Sequence, residues 1–298
     1  MWMTIPIDVN GKTSAAGALS PTTGTGRHGA LHMTFARQGS RTALVHSYWR
    51  PPLQIMRTIE DEAGVRCVYL LSPTGGIVQG DDYDVKIAVE TGAHALLTTQ
   101  AATKVFRMPD RPATQRTVID VQPGAVFEYV PDAQILFAES DLRQEFEITV
   151  HPGGLLLLHD IVMPGRLARG EVLEFTNFES KIIARDEDGL LLYDAMRCRP
   201  DQGNALDLGL LEDHPCWGSW YLLGDLSAWD IDAAAFCTRH QETVTRPGAF
   251  GSISPLARNG IAARMLAQRL SPIYAAFEEL RAAVRNHHLH RPTTALRK

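Results

Sequence analysis

The stretch at 70–85, LLSPTGGIVQGDDYDV, interrupts an apolar run with Gly75, Gly76 and Gly80 and then sets down Asp81, Asp82 and Asp84. Carboxylates this dense at the start of a strand have two uses. They sit solvated in a turn, the usual fate of aspartate, or they offer oxygen ligands to a divalent cation. Asp160, Glu171 and Asp194 fall at other strand ends and turns and carry the same two readings. A calcium loop is excluded, because the glycine at loop position 6 and the glutamate at position 12 are missing. Eleven histidines are scattered except in NHHLH, where His287, His288 and His290 could hold a divalent transition metal at a cost in ordering entropy.

Other chemistries lack their residues. There is no G-x-S-x-G elbow around a nucleophilic serine, no H-E-x-x-H zinc helix and no phosphate-binding loop of the G-x-x-x-x-G-K-[ST] type. Cys67, Cys198, Cys216 and Cys237 form no C-x-x-C pair and have no close histidine, so they read as reduced structural residues. Gly24-x-Gly26-x-x-Gly29 matches a dinucleotide fingerprint in letters only, since no strand precedes it and a strand-like segment follows where a helix is required.

The elements that must position these residues are mostly strands. The 298 residues are 45% hydrophobic and 21% charged, with net charge −5, the balance of a folded chain with no basic field for nucleic acid. No apolar run is long enough to span a membrane, and the start carries no export signal, so a cytoplasmic protein is expected. Residues 1–29 are rich in Gly, Ser, Thr and Ala and read as a flexible leader before one domain over 30–298. ALHMTFA, TALVHSYW, LQIMRTI and RCVYLLS then read as short strands.

From residue 85 the chain repeats itself. VKIAVETGAHALLTT, TVIDVQPGAVFEYV and FEITVHPGGLLLLHD share an alternating strand, Val-x-x-Gly, a small residue and a second strand, with Val89, Val121 and Val150 spaced by 32 and 29 residues. KIIARDEDGLLLYD is a looser fourth copy. Units that cannot bury their own apolar face must stack, which predicts a mainly β protein built as a β-helix or β-solenoid; ordinary hairpins sharing a turn are the alternative. The period changes near the C-terminus. Ile273, Phe277, Leu280 and Val284 mark one face of a helix capped by Ser271 with Pro272 first, and IAARMLAQRL reads as another, placing two short helices over about 261–287 as a cap or a partner surface.

Several ordered motifs resemble one family. YLLSPTGGIVQGD is similar to the Y-L-L-N-P-P-G-G-V-V-G-G-D signature of the urease accessory proteins called UreD, or UreH in some organisms. TGAHALLTTQAATKVFR, VPDAQILF and GRLARGE resemble the next three motifs of that family in order and spacing. The resemblance implies a β-helical stack with short C-terminal helices and no catalytic activity. It also implies a complex with UreF and the GTPase UreG that sits on apo-urease and delivers nickel, with Ni²⁺ in transit and no tightly bound cofactor.

Under that resemblance the acids acquire a role. Clustered imidazole and thiolate would trap Ni²⁺, whereas carboxylates, carbonyls and water hold it weakly enough to release it. Asp81, Asp160, Glu171 and Asp194 are therefore expected along a nickel path, with Gly75, Gly76 and Gly80 letting the backbone approach it and Thr103 and Lys104 in its wall. Ile273, Phe277 and Leu280 are expected at a partner surface. Two rivals stand: a β-helical carbohydrate-active enzyme, which needs two carboxylates at a fixed separation, and a scaffold that never touches metal.

Overall fold

The computed structural model describes residues 26–293 apart from 57, 62, 204–205 and 208–210, and also residue 296. Most of the expected leader lies outside the described residues, but His28 and Gly29 already belong to the first strand. In chain order the strands are β1 (His28–Gln38), β2 (Arg41–Arg50), β3 (Gln54–Ile55), β4 (Ile59–Glu60), β5 (Arg66–Leu71), β6 (Gly76–Ile77), β7 (Asp82–Val89) and β8 (His94–Thr99). There follow β9 (Thr103–Val105), β10 (Ala113–Val121), β11 (Val126–Tyr129), β12 (Gln134–Leu136), β13 (Asp141–Val150), β14 (Leu155–Met163), β15 (Asn177–Asp186), β16 (Gly189–Cys198) and β17 (Cys216–Gly224). Helix α1 (Ala233–Val244), β18 (Ala249–Pro255), β19 (Gly260–Ala267) and α2 (Leu270–Ala283) complete the order.

The strands form two sheets. The first runs β16-β15-β13-β10-β7-β1-β2, and the second runs β18-β19-β17-β14-β11-β8-β5-β3 with β4, β6, β9 and β12 attached. Each repeat crosses from one sheet to the other. β7, β10 and β13 pair in parallel in the first sheet, while β8, β11 and β14 pair in parallel in the second. This is a β-solenoid of about four turns, and the hairpin alternative is set aside because β7 and β8 share no sheet.

The repeat frame explains the crossing. Val121 sits opposite both Val89 and Val150, as the aligned motifs require. At each corner Gly92, Gly124 and Gly153 take φ of 66°, 66° and 70°, a left-handed turn that costs other residues about 1–2 kcal/mol. The corners also bond to each other, with the N–H of Val126 reaching Ala93 O at 2.9 Å and that of Leu155 reaching Ala125 O at 2.9 Å. The fourth copy departs: β15 and β16 close as an antiparallel hairpin, which ends the parallel stack.

Strand alternation divides the core. Residues of one parity, among them Leu31, Val85, Ile119, Phe127, Phe146 and Leu158, fill the space between the sheets. The opposite parity of the second sheet, including Leu96, Leu157 and Trp220, packs under α1 and α2. Ile273, Phe277 and Leu280 are on the buried face of α2 and Val284, the first residue of the π-helical turn that follows it, is buried as well, as their spacing predicts, although the helix begins at Leu270 with Pro272 inside its first turn.

One expected helix is a strand. Ile261 to Ala267 form β19, held between β17 and β18, with Ile261, Ala263, Met265 and Ala267 buried on one side. The Ala, Met, Leu and Arg of IAARMLAQRL favour helix locally, but a free sheet edge on both sides outweighs that weak preference. The second helix lies upstream instead, at α1, where Asp232 caps it by accepting the N–H of Ala235 at 3.0 Å.

Candidate functional site

A row of polar side chains interrupts the apolar space between the sheets. Tyr83, Gln115, Gln144 and Ser180 occupy facing positions on β7, β10, β13 and β15, and all have the parity of the inter-sheet core. Opposite them on the second sheet Asp160, Ser219 and Arg264 share another rung across β14, β17 and β19. The row runs across the strands, along the direction in which turns stack. Its length from Tyr83 to Ser180 is roughly 14 Å, three strand spacings.

At one end the structure brings together two of the expected acids. Asp160 and Asp194 line one small cavity of about 10 Å³, on the scale of a single water. Gln144 Nε2 donates to Asp160 Oδ2 at 2.7 Å and to Ser180 Oγ at 2.9 Å, and Gln134 Nε2 donates to Gln144 Oε1 at 2.7 Å. Gln134 Oε1 is buried without a hydrogen-bond partner, leaving a spare carbonyl acceptor in the row. Burial pushes the Asp160 carboxyl up to about 6, the hydrogen bonds from Ser180 and Gln144 oppose that rise, and the charge of Asp194 adds to it. Asp194 is steadied differently, by Arg264 at 2.5 Å and by the hydroxyl of Tyr221.

Asp81 lies at the other end and is 2% exposed. Its carboxylate accepts the N–H of Arg27 at 3.0 Å, the N–H of Val78 at 2.9 Å and the hydroxyl of Tyr83 at 2.7 Å. Burial, then the bond to Asp81, drives the Tyr83 phenol far above its ordinary range, so Tyr83 stays a neutral donor. Asp81 thus ties the Gly75–Gly80 loop to the first member of the row. Gly75, Gly76, Thr103 and Lys104 join Tyr83 and Gln115 around a cavity of about 230 Å³. Gly76 pairs with Lys104, and a Cβ on Gly76 would fall 2.2 Å from Lys104 O. Gly80 has φ of 72° in the turn that leads into Asp81.

Glu171 stands apart from the row. It accepts the N–H of Ala138 at 3.2 Å and Nε of Arg166 at 2.9 Å, and Arg166 in turn lies 4.6 Å over the Phe137 ring. The GRLARGE motif is therefore a loop closed by its own ion pair. Ile273, Phe277 and Leu280, expected at a partner surface, are 1% exposed or less and pack into the protein's own core. Among the described residues no group of three or more His, Cys, Asp or Glu side chains converges as a metal cage, His287, His288 and His290 included. All four cysteines are free, and burial raises their thiols to about 11 or 12, the behaviour of inert structural residues.

A second buried polar group went unread in the sequence. Glu128 on β11 meets His94 at 2.7 Å and Arg281 at 3.1 Å, and Arg285 meets Asp61 at 2.8 Å, all beneath α2. Burial alone would raise the Glu128 carboxyl, but His94, Arg285 and Arg281 hold it at about 2. Burial lowers the His94 imidazole from its ordinary range, and its bond to Glu128 opposes that shift. The glutamines of the row had a signal in the repeat: Tyr83, Gln115 and Gln144 each stand six residues before the aligned valine, on the parity reserved for the core. Arg264, Arg281 and Glu128 had none, since only the tertiary fold joins them.

Residues 27–298 match the family model described as UreD urease accessory protein. A urease accessory protein UreD of Haloarcula marismortui is 35% identical over 253 residues, covering 84% of this chain and 83% of that protein. UreD 2 of Streptomyces griseus is 34% identical over 91% of this chain and 93% of its own length, and UreD of Actinomyces naeslundii is 30% identical over 91% and 98%. With that identity and coverage, the chain belongs to the UreD family of urease accessory proteins.

Proposed function

We propose that this chain is a non-catalytic nickel-delivery protein of urease maturation, acting in the cytoplasm in a complex with UreF and the GTPase UreG on apo-urease. The observation that carries the reading is the polar row between two apolar sheets, with Asp160 and Asp194 at one end and Asp81 behind the other. A dication crossing a protein needs oxygen ligands at each stage and no site deep enough to hold it. The row supplies oxygens of that kind: carboxylates at Asp160 and Asp194, the unpaired carbonyl of Gln134, and hydroxyls at Ser180 and Ser219. The neighbourhood contains no thiolate, because burial keeps the cysteines protonated.

In this mechanism Tyr83, Gln115 and Thr103 flank the entrance, and Lys104 sits in its wall. Gln144 hands the ion from that side to Asp160, exchanging its hydrogen bond for a contact from its own carbonyl oxygen. Asp194, released from Arg264, takes part at the exit. Asp81 shapes the entrance by fixing Tyr83, and Glu171 fixes the adjoining loop. The glycosidase alternative is disfavoured, because the two carboxylates that do meet enclose room for one water and none for a sugar ring.

GTP-dependent activation of apo-urease, reconstituted with UreF, UreG and Ni²⁺, tests the reading. Asp160→Asn and Gln144→Leu should assemble normally yet deliver nickel several-fold more slowly. Full activation by both variants would leave a bridging role only.

A further inference from the structure

We infer that a groove on the far side of Lys104 from the row docks an acidic, apolar-anchored segment of a protein partner. The groove encloses about 840 Å³. Its floor is apolar, made by Phe106, Ile135, Phe137, Met163, Leu167 and Leu270, all half-buried. Phe106 and Phe137 meet edge to face at 5.3 Å, which makes the floor rigid.

Its rim is cationic. Lys104, Arg169 and Arg269 come from three separate elements and are exposed, and their side chains have no hydrogen-bond or ion-pair partner among the described residues. In a chain of net charge −5, three unopposed cations around one apolar surface are a local reversal of sign. Arg166 is the fourth cation, but Glu171 already neutralises it and holds it over Phe137. The rim therefore has positive charge to spare and the floor has apolar area to cover.

Those two features select the occupant. A small ligand site gathers a few polar groups onto one point, whereas here the cations stand apart and the amide in the lining, Gln268, already donates to Asp213 at 3.3 Å. A phosphate backbone would use the rim and leave the floor wet. A peptide segment that presents large apolar side chains between spaced aspartates or glutamates uses both. The GRLARGE motif fits this assignment: Glu171 closes the loop, and the closed loop presents Leu167 to the floor and Arg169 to the rim.

The inference rests on the maturation reading for its candidate partners. The test mixes the full chain with UreF, UreG or apo-urease separately and follows hydrogen exchange. One of the three should slow exchange at 104–106, 135–137 and 163–169 together. The variant K104E/R169E/R269E should weaken that binding by about tenfold or more and flatten its salt dependence, while reversing the exposed Arg239 on α1 should not. Thermal midpoints close to wild type for both variants are expected, because every altered side chain is on the surface. Wild-type affinity in the triple variant, or protection confined to other segments, sinks the groove and leaves nickel delivery standing. Failure of wild type to engage any of the three sinks both.

Discussion

Gln144 and Asp160 meet across the two sheets, the amide of one donating to the carboxylate of the other at 2.7 Å. Both side chains occupy positions that alternation reserves for apolar residues, between Leu142 and Phe146 on β13 and between Leu158 and Val162 on β14. A folding chain gains nothing by placing an amide and a carboxylate there, since burial of an ion costs more than one hydrogen bond returns. The pair is a local sacrifice of stability inside an otherwise apolar core.

That sacrifice is measurable. Asp160 has its carboxyl raised from 3.8 to about 6, so the folded state holds a proton that the unfolded state releases. Its contribution to stability is greatest below about pH 4 and is lost as pH rises through about 6. Asp160→Asn keeps an acceptor for Gln144 and removes the charge. Urea denaturation at pH 7 should show it more stable than wild type by about 1–3 kcal/mol, with the slope between pH 4 and 6 reduced. Greater stability with slower nickel delivery would separate function from folding in one variant.

The adjacent glycines at 75 and 76 should respond unequally. Gly75 has φ of 81° with open space around it, so Gly75→Ala meets only backbone strain of about 1–2 kcal/mol. Gly76→Ala would drive a methyl into Lys104 O and the Phe106 ring, parting β6 from β9. Thermal unfolding should show a clearly larger loss for Gly76→Ala, and limited proteolysis should cut its 72–80 loop first.

Asp81 is a structural acid before it is anything else. Asp81→Ala would leave the buried hydroxyl of Tyr83 and the part-buried N–H groups of Arg27 and Val78 unpaired, a loss of about 2–4 kcal/mol. Asp81→Asn retains an acceptor for one N–H and can donate to Tyr83, so it should cost less than half as much. Equal losses in chemical denaturation would show that the three bonds do not hold the loop.

Much of this fold can be read from the chain, and the limits have physical causes. The aligned valines and corner glycines specify the stacked turns, because each repeat places its small residue where the chain must cross between sheets. The face of α2 was legible from spacing, yet spacing gives only that a face is buried and not what buries it, so Ile273, Phe277 and Leu280 read as a partner surface. The strand at 261–267 was hidden because its residues favour helix and its sheet partners come from segments distant in sequence. Asp160 and Asp194 could be named as candidates, but their meeting depends on β14 and β16 belonging to different sheets.

The C-terminal helix should prove inseparable from the rest. Arg281 is 1% exposed and reaches Glu128 beneath it, joining His94 and Arg285 in keeping that carboxylate ionised in the core. Glu128 is held near 2 against an ordinary 4.5, so its contribution is complete above about pH 4.5 and is lost only as pH falls through about 2. Arg281→Met takes the nearer of two cations from a buried carboxylate, leaving it His94 and the more distant Arg285, and should cost about 3 kcal/mol, whereas the double variant Arg281→Met with Glu128→Gln should recover most of that loss. Deleting 271–298 removes Arg281 and Arg285 together with Ile273, Phe277 and Leu280, exposing the outer face of the second sheet. The truncated chain should therefore be insoluble or unfolded by circular dichroism, and a soluble, cooperatively folding truncation would show that the sheets stand without their helical cover.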